Sequence, residues 1–222
     1  MHRNLTPRSI PAIHAVDPDL PVQLSEPKPG DGADLESLVR SCSALDNNST
    51  YAYLLLCRHF SRTCVVARKD GRLAGFISAY LRPDSEDTLF VWQVAVSEDF
   101  RRKGIGSAML HHLLERKHLR HVRYLEATVA PTNTPSRRLF SALAEEIGAR
   151  CEISIEFAKA LFQGQAHSEH EDEYLFRIGP FQMESSDEPE SRHLQSYGIE
   201  RPVLHQVVPG SLYPGARGPD LG

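Results

Sequence analysis

The sequence predicts an α/β fold of the α+β type, in which helices flank a mixed, mostly antiparallel central sheet. Two observations carry this prediction. Residues 63–68 and 73–82 have the apolar, β-branched character of strands, and Lys69-Asp70-Gly71 between them has the turn chemistry of an antiparallel hairpin. The apolar run 89–96, interrupted only by Gln93, ends in a glycine-containing loop that leads into a helical repeat.

Composition indicates one globular domain between two tails. The chain has 222 residues, of which 41% are apolar and 24% charged, as in ordinary globular proteins. We expect the domain to occupy residues 20–181. Residues 1–19 contain three prolines and no apolar core of a secretory signal, and residues 182–222 are acidic and then rich in proline and glycine. Both tails are therefore predicted to be disordered.

Charge and cysteine content narrow the class of protein. The net charge is −4, and no apolar run is long enough to cross a membrane, so we expect neither a nucleic-acid nor a membrane partner. The four cysteines form no C-x-x-C pair and fall within predicted helices and strands, which favours buried, reduced thiols over disulfides or a metal site. We expect a cytoplasmic protein.

Two helices are predicted before the hairpin. A short strand at 22–24 precedes a helix capped by Asp31, whose apolar residues recur at i, i+3, i+4 and i+7. A second helix is capped by Ser49 or Thr50 and runs to about Phe60. Because this helix is apolar nearly all round, we expect it to be buried.

The apolar run 89–96 is predicted to be the central strand, buried on both faces because it shows no polar alternation. Residues 83–88 connect it to the hairpin as a longer turn. Apolar residues recur at i+4 from Ile105 and predict a helix to about Leu114. Four histidines on and after this helix are predicted to lie on the surface: His111, His112, His118 and His121.

The remaining elements alternate between strand and helix. Residues 124–129 predict a strand. Thr134 is the predicted N-cap of the next helix, with Pro135 as its first residue and Gly148 at its end. The chain then continues through a strand at 151–155, a short helix or turn at 157–162, a polar loop at 164–172 and a last strand at 173–178.

Residues 101–106, with the sequence RRKGIG, join the central strand to the helix that follows it. Two glycines let an anion approach the backbone, the helix N-terminus favours negative charge, and the basic residues add to it. Taken alone, the pattern is also that of a glycine-rich turn with a solvated basic edge. The dinucleotide fingerprint G-x-G-x-x-G is excluded, because Met109 stands where its third glycine would be.

The spacing R-x-x-G-x-G after an apolar strand resembles the pyrophosphate loop of the GNAT N-acetyltransferases. The resemblance implies the GNAT fold, acetyl-CoA as co-substrate, and a backbone N–H near Val96 that stabilises the oxyanion. Arg137 is a further candidate contact of the coenzyme arm. The cofactor-binding residues that the resemblance implies are Val94, Val96, Arg101, Arg102, Lys103, Gly104, Ile105, Gly106, Ser107, Asn133 and Ser136.

Four segments resemble a narrower family, the L-2,4-diaminobutyrate acetyltransferases of ectoine biosynthesis. They span residues 45–60, 89–106, 128–140 and 170–181. The stretch LDNNSTYAYLLLC together with FVWQVAV is the most specific part of the match. This resemblance implies acetyl transfer to the 4-amino group of a small diamine, L-2,4-diaminobutyrate, and a homodimer.

The same resemblance implies the residues that bind the acceptor, several of which also have a plainer interpretation. Asp46 is an ordinary turn residue, and Trp92 is equally a core side chain. Tyr51 and Tyr53 point to different faces of their helix, so one is expected in the core and the other at the acceptor. The acceptor-binding set is Asp46, Tyr51, Tyr53, Trp92, His170 and Glu173, with Glu173 and the backbone of Val96 as the catalytic groups.

A metal site and a solvated loop are alternatives for the region around His170. His167-x-x-His170 with Glu171 or Glu173 has the spacing of metal ligands, but two histidines are a weak signal, and no metal is expected. Under the family resemblance, Glu173 is instead a candidate base that acts through a water molecule.

The implied reaction sets two chemical requirements. Neutralising a lysine-like amine at pH 7 costs about 4.6 kcal/mol, so the site must take up a proton and position the amine. The coenzyme must also leave as a thiolate. Many GNAT enzymes have a tyrosine four residues after the position of Ser136 for this step, where this chain has Phe140. Another group or water must protonate the thiolate, or it leaves unassisted.

Two other functions stay open from the sequence. The chain is alternatively a GNAT enzyme that acetylates protein lysines or N-termini, which an acidic docking groove would support. It is alternatively a non-catalytic acyl-CoA-binding module, which an intact pyrophosphate loop does not exclude. Release of coenzyme A that depends on an acceptor separates a catalyst from such a module.

Overall fold

The structure, a computed structural model, describes residues 21–162 and 170–182. The predicted tails, 1–19 and 182–222, lie almost wholly outside the described residues. A seven-stranded sheet has the order β1-β2-β3-β4-β5-β7-β6, which confirms the predicted fold class. The strands are β1 (Gln23–Ser25), β2 (Val65–Lys69), β3 (Arg72–Arg82), β4 (Ser85–Val96), β5 (Tyr124–Val129), β6 (Cys151–Phe157) and β7 (Glu173–Ile178), and the α-helices are α1 (Gly32–Arg40), α2 (Thr50–His59), α3 (Ile105–Leu114) and α4 (Thr134–Glu146).

One junction in the sheet differs from the others. Among the described strands, β4 and β5 are the pair that runs parallel, and they pair at Thr88–Tyr124, Leu89–Leu125 and Phe90–Glu126. Beyond Phe90 the two strands diverge, although β4 continues to Val96 and β5 to Val129. The sheet therefore contains a wedge-shaped opening between the carboxyl ends of its two central strands.

Each sheet face is covered by its own pair of helices. Under α3 and α4 lies the larger core, with Met109, Leu113 and Phe176 fully buried. Under α1 and α2 lies a smaller core that includes Tyr53 and Phe76. Burial of one such side chain contributes about 1.5–3 kcal/mol, so both cores hold the sheet that carries the opening.

The hairpin prediction is confirmed, but the next connection is shorter than predicted. Asp70 and Gly71 adopt positive φ angles of 50° and 75°, as a two-residue hairpin turn requires. The turn between β3 and β4 is only residues 83–84, whereas residues 83–88 were predicted. Ser85 and Asp87 are hydrogen-bonded to each other within an irregular stretch, so their polar character does not end the strand.

Two predicted helix caps need correction. Asp31 occupies the N-cap position of α1, but its carboxylate accepts from the backbone N–H of Lys28 and from Arg68 rather than from the helix. At α4 the N-cap is Asn133 rather than Thr134, because the Asn133 side chain accepts from the backbone N–H of Ser136. Ser49 caps α2 as predicted.

Burial of α2 is one-sided, which contradicts the prediction, whereas β4 has buried residues on both faces, as predicted, and only Trp92 of the run 89–96 is exposed. Tyr53 and Leu56 of α2 are buried, but Tyr51 is 67% exposed, because the helix packs on the sheet through a single face. On β4, Leu89 is buried whereas Trp92 is 43% exposed. Trp92 lies beyond the part of the sheet face that α1 and α2 cover, and the extent of that cover cannot be read from the strand's own sequence.

The four histidines that were predicted to lie on the surface differ in their burial. His111 is buried, and its Nε2 lies 2.9 Å from Glu146 Oε2 of α4, so the pair joins α3 to α4. His112 is half-buried, and burial together with the Arg116 charge lowers its pKa to about 4. His118 is also half-buried, and only His121 is exposed as predicted.

All four cysteines are free, as predicted, and Cys42, Cys57 and Cys64 are buried. Burial raises the pKa of Cys57 to about 11 and that of Cys64 to about 12, so both stay protonated thiols near neutral pH. Across the described part of the chain, every helix is too short or too polar to span a bilayer.

Candidate active site

The opening between β4 and β5 exposes backbone N–H groups. Ser97 donates its N–H to the carbonyl of Ala74 on β3 at 2.9 Å. Because successive N–H groups of a strand point to opposite edges, those of Val94 and Val96 point toward the opening. The predicted residues Val94 and Val96 thus present donors to whatever lies between the strands.

The N-terminus of α3 lies at the same opening. Gly104 is its N-cap with a φ of 76°, and the first intrahelical bond runs from Ala108 N to Gly104 O. The N–H groups of Ile105, Gly106 and Ser107 therefore have no intrahelical acceptor, and no described side chain caps them. A Cβ on Gly106 would lie 3.5 Å from Leu139 and 4.0 Å from Val94, so this glycine faces the gap between α4 and β4.

Two of the three basic residues in this loop donate hydrogen bonds to nearby backbone carbonyls. Arg101 donates to the carbonyl of Val96 at 3.2 Å, and its guanidinium lies 3.8 Å from the Cys42 sulfur. Lys103 donates to the carbonyl of Asp99 at 3.1 Å. Arg102 is exposed, with a backbone φ of 61°. The groups best placed to hold a phosphate are thus the free N–H groups of α3, with the three cations around them.

The start of α4 borders the opening from the other strand. Asn133 and Ser136 are half-buried there and bonded to each other as the helix cap. The Arg137 guanidinium lies 5.4 Å from the centre of the Phe176 ring. Phe140 is buried and packs against the same ring. Phe140 is therefore a core residue, and its phenyl ring carries no acidic proton.

A second feature, a cavity of about 520 Å³, lies on the opposite sheet face. Its β5 residues, Glu126 and Thr128, alternate with Leu125 and Ala127, which belong to the core under α3 and α4. The cavity therefore lies on the face of α1 and α2, beyond the area that these helices cover. Its aromatic lining consists of Tyr80, Phe90, Trp92 and Phe157.

Trp92 owes its position to a β-bulge. Ser78 pairs with Gln93 and Ala79 pairs with Val91, so Trp92 is the extra residue on β4. Its side chain is 43% exposed and lines the cavity. Of its two interpretations, the structure supports the cavity wall rather than the core.

Two carboxylates from distant parts of the chain are close enough to interact electrostatically. Asp46 lies in the loop between α1 and α2, and Glu173 begins β7. Burial and, second to it, the Asp46 charge raise the pKa of Glu173, while His170 and a hydrogen bond with Thr128 oppose the shift. His170 is itself stacked on Phe162 at 4.6 Å. The predicted residues Asp46, His170 and Glu173 are thus brought together.

Gln93 is a functional candidate that the sequence reasoning missed. It is 4% exposed, and its Nε2 donates to the backbone carbonyl of Asp46 at 2.9 Å. Its Oε1 accepts from the hydroxyl of Tyr53 at 3.3 Å. Tyr53, 1% exposed, is therefore the core tyrosine, whereas Tyr51 is 67% exposed. The sequence signal for Gln93 was that it is a single polar residue within the apolar run 89–96.

Glu171 is a second missed residue. Its carboxylate accepts from the hydroxyl of Thr132 and, at 3.3 Å, from the Thr132 backbone N–H. Asp172 accepts from the backbone N–H of Lys159 at 2.7 Å. The segment that leads into Glu173 is therefore tied to the loop that carries Asn133.

The residues described here show no cluster of three or more His, Cys, Asp and Glu side chains able to hold a metal ion. His167, one ligand of the alternative metal site, lies outside the described residues.

Known proteins resemble this chain over most of its length. The acetyltransferase (GNAT) family matches residues 33–144. An L-2,4-diaminobutyric acid acetyltransferase of Bordetella parapertussis is 48% identical over 184 residues, which are 82% of this chain and 97% of that protein.

Two solved structures extend the comparison. A diaminobutyrate acetyltransferase from Paenibacillus lautus, in complex with its substrate L-2,4-diaminobutyric acid and coenzyme A, is 42% identical with a TM-score of 0.71. The alignment covers 74% of this chain and 98% of that one. Ard1 from Thermoplasma volcanium is 18% identical with a TM-score of 0.57, covering 71% of this chain and 97% of its own, and supports the fold alone.

Proposed function

This chain belongs to the acetyltransferase (GNAT) family and, within it, to the L-2,4-diaminobutyric acid acetyltransferases, and we propose that it acetylates the 4-amino group of L-2,4-diaminobutyrate. The acetyl donor is acetyl-CoA, and the product, N4-acetyl-L-2,4-diaminobutyrate, is the ectoine precursor. The predicted family, enzyme class and co-substrate are confirmed by the relatives.

The observation that carries the proposal is that an anion site and two interacting carboxylates occur in one domain. The backbone carbonyl of Asp46 is bonded to β4 through Gln93, and the Asp46 charge raises the pKa of Glu173 at the start of β7. The free N–H groups at the N-terminal end of α3 and those of Val94 and Val96 supply the anion site. One ligand must be anionic to suit the end of α3, and the other cationic to suit the carboxylates.

Each of the two carboxylates has a different role toward a diamine. Asp46 suits the 2-ammonium, which stays charged throughout. Glu173 suits the proton of the 4-ammonium, because burial and the Asp46 charge raise its pKa toward that of a useful base. A carboxylate in direct contact with the 4-ammonium would hold that proton on the nitrogen, so Glu173 acts through a water molecule.

The backbone and the coenzyme complete the chemistry. Acetyl-CoA supplies the thioester carbonyl that the amine attacks. The N–H groups of Val94 and Val96 are the donors available to the oxygen of that carbonyl as it gains charge. Because Phe140 is in the core, the thiolate leaves without a tyrosine, which a thiol pKa near 8.5 permits.

We also propose that the protein is a homodimer. β6 ends the order of described strands, and Ile153 and Ile155 on one of its faces are 49% and 55% exposed. Apolar side chains on a sheet edge favour a protein partner, and we assign a second copy of this chain. Light scattering should report a dimer that Ile155→Asp converts to monomer, whereas Ser154→Asp on the other face of the strand should not.

The remaining features of the proposal are a cytoplasmic location, no resident metal, and no nucleic-acid or membrane partner. They rest on the composition, with its net charge of −4 and its free cysteines.

Thiol release from acetyl-CoA tests the function directly. The purified full chain is assayed with L-2,4-diaminobutyrate, ornithine, lysine or no acceptor. We expect strong release with diaminobutyrate and weak release with the longer diamines. Release with none of them, while acetyl-CoA still binds, would overturn the proposal and favour a protein substrate or a silent binding module.

A further inference from the structure

The part of the loop that carries Asp46 is bonded to the central strand through one buried amide. The loop leaves α1 after Arg40 and enters α2 at Thr50. At its start the Cys42 thiol donates to the Val96 carbonyl at 3.7 Å, and at Asp46 the backbone carbonyl accepts from Gln93 Nε2 at 2.9 Å. Because Gln93 is 4% exposed, water cannot replace this bond at no cost.

The amide is held in one orientation by its neighbours. The Tyr53 hydroxyl donates to Gln93 Oε1, which leaves Nε2 to face Asp46. Tyr53 is fixed in turn by edge-on packing against Phe76, with ring centres 6.3 Å apart. The backbone N–H of Gln93 is bonded to the Ser78 side chain at 3.1 Å. Such a fully satisfied buried network is rigid, and it fixes where Asp46 lies.

The opposite side of the acceptor site has separate supports. The two residues before Glu173, Glu171 and Asp172, are bonded to Thr132 and Lys159. None of these contacts passes through Gln93. The span between Asp46 and the reacting carbonyl, which lies at the N–H groups of β4, is therefore set on the Asp46 side by Gln93.

We infer that Gln93 is a positioning residue that determines which length of diamine the enzyme accepts. This inference rests on the proposed function. A diamine of the right length reaches the carbonyl with its free amine while its ammonium contacts Asp46. Ornithine, one methylene longer, cannot satisfy both contacts while Asp46 is held in place. Once the loop is released, Asp46 can retreat by the length of the extra methylene.

The test compares Gln93→Met with the unchanged chain on diaminobutyrate and ornithine. Methionine keeps the volume and removes both polar groups. We expect kcat/KM for diaminobutyrate to fall about tenfold, mainly through KM, since the buried bonds of Gln93 to Asp46 and to Tyr53 are both lost. The preference for diaminobutyrate over ornithine should fall by a similar factor, and the KM for acetyl-CoA should stay unchanged. Tyr53→Phe keeps Gln93 and should shift the preference in the same direction by less.

Thr63→Val is the matched control. It removes another buried hydrogen bond, 2.6 Å long, to the carbonyl of Ala79 on β3, but it does not touch the Asp46 loop. This variant should keep the preference of the unchanged chain. Equal losses on both diamines in Gln93→Met and Tyr53→Phe would overturn the inference. If the unchanged chain releases no thiol with diaminobutyrate, the proposed function fails before the variants are compared.

Discussion

The two sides of the candidate site are built in different ways. The coenzyme side comes mostly from one continuous stretch, residues 94–107, and its donors are backbone N–H groups. The acceptor side is assembled from four separate segments, and its groups are the side chains of Asp46, Trp92, Thr128 and Glu173. A backbone site depends on chain geometry, whereas a side-chain site depends on each residue type. Under the proposed function, we expect the first to mark the superfamily and the second to select the acceptor.

Glu173→Gln should give the largest effect, because it removes the proposed proton acceptor on the side-chain half of the site. Loss of a general base costs about 10²–10⁴-fold in rate, and we expect kcat to fall within that range. The dissociation constant of acetyl-CoA, measured by calorimetry, should not change. A kcat within a factor of two of the unchanged chain would assign the base elsewhere.

Asp46→Ala should come next, acting through KM for diaminobutyrate. A charged hydrogen bond contributes about 1.5–3 kcal/mol, which corresponds to roughly 10- to 150-fold in affinity. Acetyl-CoA should bind normally, because no contact of the coenzyme side involves the Asp46 carboxylate. Equal loss of both ligands, together with a lower melting temperature, would indicate misfolding instead.

Gly104→Ala tests the coenzyme side of the site, where backbone geometry is expected to matter most. A side chain at φ 76° is disfavoured by roughly 1–2 kcal/mol, so the loop should relax and weaken acetyl-CoA binding about tenfold. KM for diaminobutyrate should stay unchanged. Arg102→Ala, in the same loop with its side chain exposed, is the control for lost charge, and a similar loss in that variant would mean that cations rather than geometry hold the coenzyme.

The pH profile offers a smaller and more specific signal. The Asp46 carboxylate raises the pKa of Glu173, so Asp46→Asn should lower that pKa. Because a base works only when deprotonated, the acid limb of kcat/KM should move to lower pH in the variant. A limb that stays in place, or moves to higher pH, would mean that Glu173 does not set it.

Glu171→Gln should have the smallest effect. It weakens the exposed tie between the β7 entry and the Thr132 loop, so we expect a loss of a few-fold in kcat/KM, in line with about 1 kcal/mol for a surface hydrogen bond to a charge. Asp172→Asn, which alters the tie to Lys159 instead, serves as the comparison. The rate of a double variant with Thr132→Val should equal that of Glu171→Gln if the two residues act only on each other.

The same contrast explains what the sequence was able to predict. The loop 101–106 lies between a strand and a helix that it joins directly, so local pattern placed its backbone correctly. The exposure of Trp92 within β4 was not predicted, because it depends on how far α1 and α2 extend over that face of the sheet. His111 was wrong for a similar reason, since its partner Glu146 belongs to another helix.

The acceptor side was predictable only through resemblance to a family. Nothing local indicates that the charge of Asp46 acts on Glu173, because only the folded sheet brings these two parts of the chain near each other. Gln93 is visible in the sequence only as an exception in an apolar run. Its meaning follows from the loop carbonyl that tertiary folding brings to it.

The short parallel pairing of β4 with β5 has a consequence for the stability of the whole protein. Three residue pairs of these strands join the half-sheet β1–β4 to the half-sheet β5–β7–β6, together with the Arg82–Glu126 ion pair and the bond from Arg123 N–H to the Asp87 carbonyl. A coenzyme bonded to the open edge of β4 and to the start of α4 adds a bridge where the strands themselves have none. Amide hydrogen exchange at Val94, Val96 and the end of β5 should therefore slow when the coenzyme binds. The melting temperature should rise with the logarithm of its concentration, so supply of the acetyl donor also governs how long the fold survives.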